Sequence, residues 1–393
     1  MKIRSITFFN GRAGFESPEA ISRVGTALKG IRQRLSAGGY EVQTVRLAFE
    51  PLLWRIDGPS VQKFLPVLRE IEQSTDAAGI DYVSLGPIVD DESDLRTLEM
   101  LPELIASTTR IFASAVLVEP GYEIGARNRN LYLPLAKTIK QIAALTPNGF
   151  GNLRFAALAN CKSSIPFFPA AYADSGQYNF ALALECADLA VDAVREAQAE
   201  PSRENFGLIH DTRALLTKKI EQHSVAIEVL LGDTQKLFSG CDWSLAPHPD
   251  ERCSIGAAIE AMSGARFGDW GTLSAVAALT GAIRDANVRH TGFSGVFMPM
   301  LEDAVLARRA GPDFDLQKLL LYSAVCGTGL DTIPLAGDVS EERIAALLAD
   351  VAALAVAKNK PLTARLMPIP GLKAGEMTRF DFPYLVNGRV FEL

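Results

Sequence analysis

Short β-rich runs alternate with longer helical runs along the whole chain, and no long linker interrupts them. Ile3, Ile6, Phe8 and Phe9 beside Thr7 suit a pleated, half-buried surface and predict a strand over 2–9. Ser17-Pro18-Glu19 then supplies an N-cap, a proline at the first helical position and an acid in the first turn. Further strands are predicted over 42–49, 81–85, 111–118, 153–158, 178–184, 236–245, 292–300 and 363–367. Helices are predicted between them, one of them led by Gly58-Pro59-Ser60. The clearest covers 341–357, where Ile344, Leu347, Leu348, Val351 and Leu354 keep the i, i+3, i+4, i+7 spacing of one helix face.

Strands that alternate with helices argue for parallel β/α units and an α/β fold. The only break in the rhythm is 199–205, and it is short. The expectation is one β/α barrel domain over 1–393, with a Pro- and Gly-rich loop or hairpin extension over 366–393.

With 48% hydrophobic and 22% charged residues, the 393-residue chain has the composition of a packed protein. A formal charge of −7 gives no electrostatic reason to expect nucleic acid or an anionic membrane as partner. The most apolar window, 344–357, is too short to span a bilayer and is interrupted by Asp350. Cys161, Cys186, Cys241, Cys253 and Cys326 form no C-x-x-C pair, so free thiols in a reducing compartment, the cytoplasm, are expected. Dinucleotide and P-loop glycine patterns, H-E-x-x-H, EF-hand loops and the G-x-S-x-G elbow are all missing.

In parallel β/α folds the site forms where strands end. Asn10, Glu119 and Asn160 follow predicted strands; Asp242 and Ser244 close another; Ser294 lies in the 292–300 strand, and Glu302 and Asp303 follow it; Cys326 and Asp331 follow a helix. His223 falls on an apolar helical stripe and reads as a core histidine. His248, between Pro247 and Pro249, projects from a stiff loop and is the histidine selected for function. Asp303 or Asp331 would equally serve as a helix cap, and Asp242 would equally pair with a buried cation such as Arg365.

These segments resemble a known family. Asp242-Trp243-Ser244-Leu245-Ala246-Pro247-His248-Pro249 is similar to the D-x-S-L-A-P-x-P segment of domain-of-unknown-function family 711, the UPF0210-like proteins. The run Gly292 to Pro299 followed by Glu302-Asp303 resembles its G-L-S-G-A-F-I-P-x-x-E-D. Cys326-Gly327-Thr328-Gly329-Leu330-Asp331 resembles C-S-V-G-L-D, and Asn359 to Arg365 resembles N-x-K-T-T-A-V-R. Ile3-Arg4-Ser5-Ile6-Thr7 matches the I-R-T-I-T start. The resemblance implies a barrel of about ten strands of the pyruvate formate-lyase and ribonucleotide reductase type, and no established reaction. His248 departs from the family segment, where threonine is expected.

The catalytic candidates are therefore Asp242, His248, Glu302, Asp303 and Asp331, in a hydrolase using carboxylate acid–base chemistry on a small polar substrate. Mg²⁺ or Ca²⁺ is the cation such oxygens would hold. Asn10, Glu119, Asn160, Ser244, Ser294, Cys326 and Arg365 are the substrate-binding candidates. A metabolite-binding regulator without chemistry is the alternative. A glycyl-radical enzyme with Cys326 as thiyl and Gly388 as radical site is a third, resting on fold analogy alone. A homodimer is the assembly this reading allows.

Overall fold

Strand β1 (Lys2–Asn10) lies inside a nine-stranded mixed sheet. The computed structural model describes residues 1–52, 60–88, 92–199, 205–311 and 313–393. The Gly58-Pro59 helix lead and most of the 199–205 break lie outside them.

The first half is a run of parallel β/α units. Helix α1 (Pro18–Ala37) leads to β2 (Val42–Phe49), α2 (Val61–Ala77) to β3 (Tyr82–Ile88), α3 (Glu92–Ala106) to β4 (Ile111–Val118), and α4 (Ala126–Leu145) to β5 (Phe155–Ala159). Their neighbours pair in chain order, all parallel. Each helix supplies the crossover that a parallel pair requires. Strand β6 (Tyr178–Glu185) pairs with β1 the other way, antiparallel. The 160–177 connection that precedes it contains no helix and folds against the sheet, where Thr7 Oγ1 donates to Pro166 O at 2.7 Å and Ser84 Oγ to Ala171 O at 2.6 Å.

Helices α5 (Ala187–Gln198) and α6 (Asn205–Leu231) then cross over to β7 (Phe238–Asp242), parallel to β6. Short helices α7 (Ile255–Ser263), α8 (Thr272–Asp285), α9 (Ala304–Arg309) and α10 (Leu316–Tyr322) precede β8 (Gly329–Ala336). Helix α11 (Glu341–Lys358) connects it to β9 (Leu362–Ile369). Strand β9 is parallel to β8 and antiparallel to β5. The sheet order is β7-β6-β1-β2-β3-β4-β5-β9-β8.

Local chemistry explains many element ends. Ser17, Ser60, Ser254 and Ser340 each accept a backbone N–H from the first turn of the helix they precede. Helix α11 buries Ile344, Leu347, Leu348 and Val351, as its spacing predicts, and ends on Asn359 with φ 45°.

Several expectations are corrected. The sheet is mixed, so its strands do not all end on one rim. Residues 292–300 are not a continuous strand: Gly292 and Ser294 have φ of 66° and 44°, and their bridges are single ones, Leu245↔Val296 beyond the end of β7 and Pro299↔Asp331 on β8. The sheet is therefore not closed by continuous ladders into a ten-strand barrel. Conversely, β8 follows Cys326, where no strand is predicted. It carries Gly329, Asp331 and Pro334, and an edge position tolerates its proline. The C-terminal extension starts after Ile369 and packs Phe380, Leu385 and Val390 on Leu301 and Met367.

Candidate functional site

A row of alternating buried charges crosses the sheet. Arg4 on β1 donates from Nη1 to Glu185 Oε1 at the end of β6, at 2.6 Å, and from Nη2 to Glu302. Glu302 Oε1 accepts from Arg365 Nη2 on β9 at 2.8 Å, and Arg365 Nε donates to Asp331 Oδ1 on β8 at 2.5 Å. All are buried or nearly so. Pairing and hydrogen bonding make such burial tolerable.

The charges respond to that geometry. Burial alone would raise the Glu302 carboxyl, but Arg4 and Arg365 outweigh it and hold Glu302 below its ordinary value, ionised. Burial alone would lower Arg4 and Arg365; their carboxylate partners raise both. Both Glu302 oxygens are engaged. Asp331 uses one oxygen on Arg365, and its Oδ2 has no partner among the described residues.

Arg4, Arg365, Glu302 and Asp331 line a cavity of about 110 Å³. Arg46 joins them from β2 with Thr44. Tyr82 and Phe112, from the starts of β3 and β4, stack edge-to-face with centroids 5.2 Å apart, and Phe168 continues the stack at 5.2 Å. Phe297, Phe382, Tyr384 and Leu385 cover another side, so the C-terminal extension contributes to the wall. The cavity thus faces the N-terminal halves of β1–β4, not their C-terminal ends.

The sequence candidates are dispersed by this fold. Glu302, Asp331 and Arg365 line the cavity. Asp242 does not: its carboxylate accepts Ser244 Oγ at 2.5 Å, Ser244 N at 3.1 Å, Phe293 N at 2.7 Å and Ser294 N at 2.9 Å. It pins the 292–295 loop to β7 and does not pair with Arg365; burial pushes it up to about 6. Asp303 caps α9, accepting Val305 N and Leu306 N, and also takes Ser254 Oγ at 2.7 Å and Gly256 N at 3.2 Å. From the 242–249 and 326–331 segments, Ala246, Thr328 and Asp331 share the cavity.

His248 lines a separate recess with Glu185, Asp188 and Cys253. Ser294 and Cys326 line a surface groove with Arg284, His290 and Lys360. Ser244 is spent on Asp242. Asn10 is buried at the end of β1, Asn160 has a left-handed backbone, and Glu119 is exposed; none of the three lines the cavity. His223 meets the Tyr40 hydroxyl at 2.9 Å, and burial lowers its pKa. No group of three His, Cys, Asp or Glu side chains arranged as metal ligands occurs among the described residues. Gly388 packs against Ala307 and shares no described cavity with Cys326. No helix among the described residues is long and apolar enough to cross a membrane.

Sequence reasoning missed Arg4, Arg46 and the aromatic wall. The signal was available: each arginine falls within a predicted strand beside residues that read as core, and a buried charge there needs a partner or a ligand.

Comparison with known proteins matches residues 1–381 to a family described as "Uncharacterised ACR (DUF711)". A UPF0210 protein of Methanopyrus kandleri is 30% identical over 324 residues, 79% of this chain and 70% of the relative. One from Syntrophobacter fumaroxidans is 29% identical over 360 residues, covering 87% and 77% of the two chains. One from Clostridium perfringens is 25% identical over 355 residues, again 87% and 77%. Phe382, Tyr384 and Leu385 lie beyond the family match.

Proposed function

The chain belongs to the uncharacterised DUF711 family, and from its charged cavity we propose that it is a small-molecule enzyme using carboxylate acid–base chemistry, a hydrolase. One observation carries this reading. Asp331 presents a carboxylate oxygen without a protein partner on a cavity wall, while Arg365 fixes its other oxygen at 2.5 Å. A base held by one oxygen and open at the other is positioned to take a proton from water or substrate. Glu302, with both oxygens on arginines, is the hub that aligns Arg4 and Arg365, and its ionised state suits no proton donor. Asp242 and Asp303 act on this base only through the loops they hold.

The finer architecture follows the same reading. Segment 290–299 completes a barrel as a tenth, irregular stave, supported by its single bridges to Cys241, Leu245 and Asp331. The five free thiols support a cytoplasmic setting.

A binding protein without chemistry would use the same cavity, so turnover separates the two. A panel of chromogenic esters, amides and glycosides is assayed with wild type and Asp331→Asn. The enzyme reading expects turnover that falls about 10²–10⁴-fold in the variant. Wild-type rates in Asp331→Asn, with its fold intact by thermal melt, would overturn the assignment of the base.

A further inference from the structure

We infer that the cavity binds a small organic monocarboxylate, held by the Arg46 guanidinium, with its apolar body against Tyr82, Phe112 and Phe168. This rests on the proposed small-molecule function and adds the ligand's charge and shape.

Arg46 is 9% exposed. Its Nε donates to Thr44 Oγ1 at 2.9 Å, and its guanidinium lies over the Phe168 and Tyr82 rings, 5.2 and 5.7 Å from their centroids. It forms no ion pair with any described carboxylate. Arg4 and Arg365, on the same wall, each hold two. A buried guanidinium without a counter-ion is costly unless something else neutralises it. Thr328 Oγ1, in the same lining, is also buried without a partner.

The charge balance selects the ligand. Arg4 and Arg365 share the three carboxylates Glu185, Glu302 and Asp331 between them, so the charge on the wall that no ion pair takes up is that of Arg46. One negative charge satisfies it. A second, as on a phosphate, would meet Glu302 and Asp331 with no cation left to answer it. The planar guanidinium fork matches a carboxylate in two parallel hydrogen bonds. At roughly 10–15 Å³ for each water-sized unit, 110 Å³ admits on the order of ten non-hydrogen atoms. Three stacked rings suit an apolar body.

Arg46 also bears its charge at a visible cost: burial first, then repulsion from Arg4 and Arg365, lowers it to about 9, despite Tyr82 and Asp81 nearby. It remains protonated at neutral pH.

The test is calorimetric titration of the full chain with benzoate, benzamide and inorganic phosphate, using wild type, Arg46→Lys and Arg46→Gln. Benzoate should bind wild type at least tenfold more tightly than benzamide or phosphate. Arg46→Gln should weaken benzoate about 10–100-fold and leave benzamide unchanged. Arg46→Lys, which keeps the charge and loses the fork, should fall between. If wild type shows no preference for benzoate, or Arg46→Gln binds it as well, the inference is overturned. The wild-type comparison decides even if Arg46→Gln does not fold. Benzoate and benzamide binding equally well, and both unaffected by Arg46→Gln, would leave the cavity reading standing while removing the carboxylate. Arg46-dependent benzoate binding beside wild-type turnover in Asp331→Asn would leave the anchor and remove the base.

Discussion

Glu302 and Asp303 are consecutive and both buried, yet they serve opposite ends. Asp303 turns into a helix start and has its acceptors filled by neutral N–H and O–H donors. Glu302 turns into the cavity and is filled by two guanidinium groups. Asp242 behaves like Asp303, and Asp331 like Glu302 with one oxygen left over. Neutral donors around a carboxylate make a mechanical pin. Charged partners around a cavity make a site, and one partner too few, as at Arg46, makes a place for a ligand. The comparison teaches that burial and acidity alone do not separate a carboxylate that pins a loop from one that lines the cavity; the charge of its neighbours does.

The pins should fail mechanically. The most severe test is Gly292→Ala. A Cβ there would stand 2.0 Å from Asp242 Oδ2, at a φ of 66° that side chains rarely adopt. A loss on the order of 4 kcal/mol is expected in denaturant melts. A melt like wild type would show that the 292–295 loop is not held as described.

Asp303→Ala removes the α9 cap and strands the Ser254 and Gly256 donors. It should cost about 3 kcal/mol, from the cap and the unsatisfied donors together. Measured binding of a cavity ligand should not change, since Asp303 does not line the wall; a loss of binding in a folded variant would place Asp303 among the site residues after all.

Asp242 gives a smaller, pH-dependent effect. Burial raises it from an ordinary 3.8 to about 6. Between about pH 4 and 6 the folded protein therefore holds more protons than the unfolded one, and stability falls as pH rises through that window. Above pH 6 the cost is complete. Wild type should lose on the order of 1–3 kcal/mol between pH 4 and 7 relative to Asp242→Ala, which lacks the group. Parallel pH profiles would contradict a buried, titrating Asp242.

Much of this fold is written locally. The serine caps, the α11 stripe and the β-branched runs of β1, β2 and β4 specify their elements without help from distant residues. Strand direction is not local: nothing within 178–185 says that β6 returns antiparallel, because that depends on how 160–177 folds across the sheet. Strand β8 was hidden by Gly329 and Pro334, which resemble breakers until the edge position is known. The site was half legible. The acids could be found, and Glu302, Asp331 and Arg365 do share the cavity, but Glu302 and Asp303 are alike in sequence and differ only in what the fold brings to them. Arg4 and Arg46 look like ordinary strand interruptions until β1, β2 and β9 are laid side by side.

The sign of one substitution tests the central comparison most directly. Arg46→Met keeps the bulk of the side chain beside Tyr82 and Phe168 and removes a charge whose burial costs on the order of a few kcal/mol at neutral pH. It gives up one hydrogen bond to Thr44 and the ring contacts, together about 1–2 kcal/mol. If Arg46 is retained for a ligand at the expense of stability, the ligand-free Arg46→Met protein melts above wild type at pH 7. A melt below wild type, in step with the loss in Asp303→Ala, would make Arg46 another pin and contradict the distinction between cavity and scaffold.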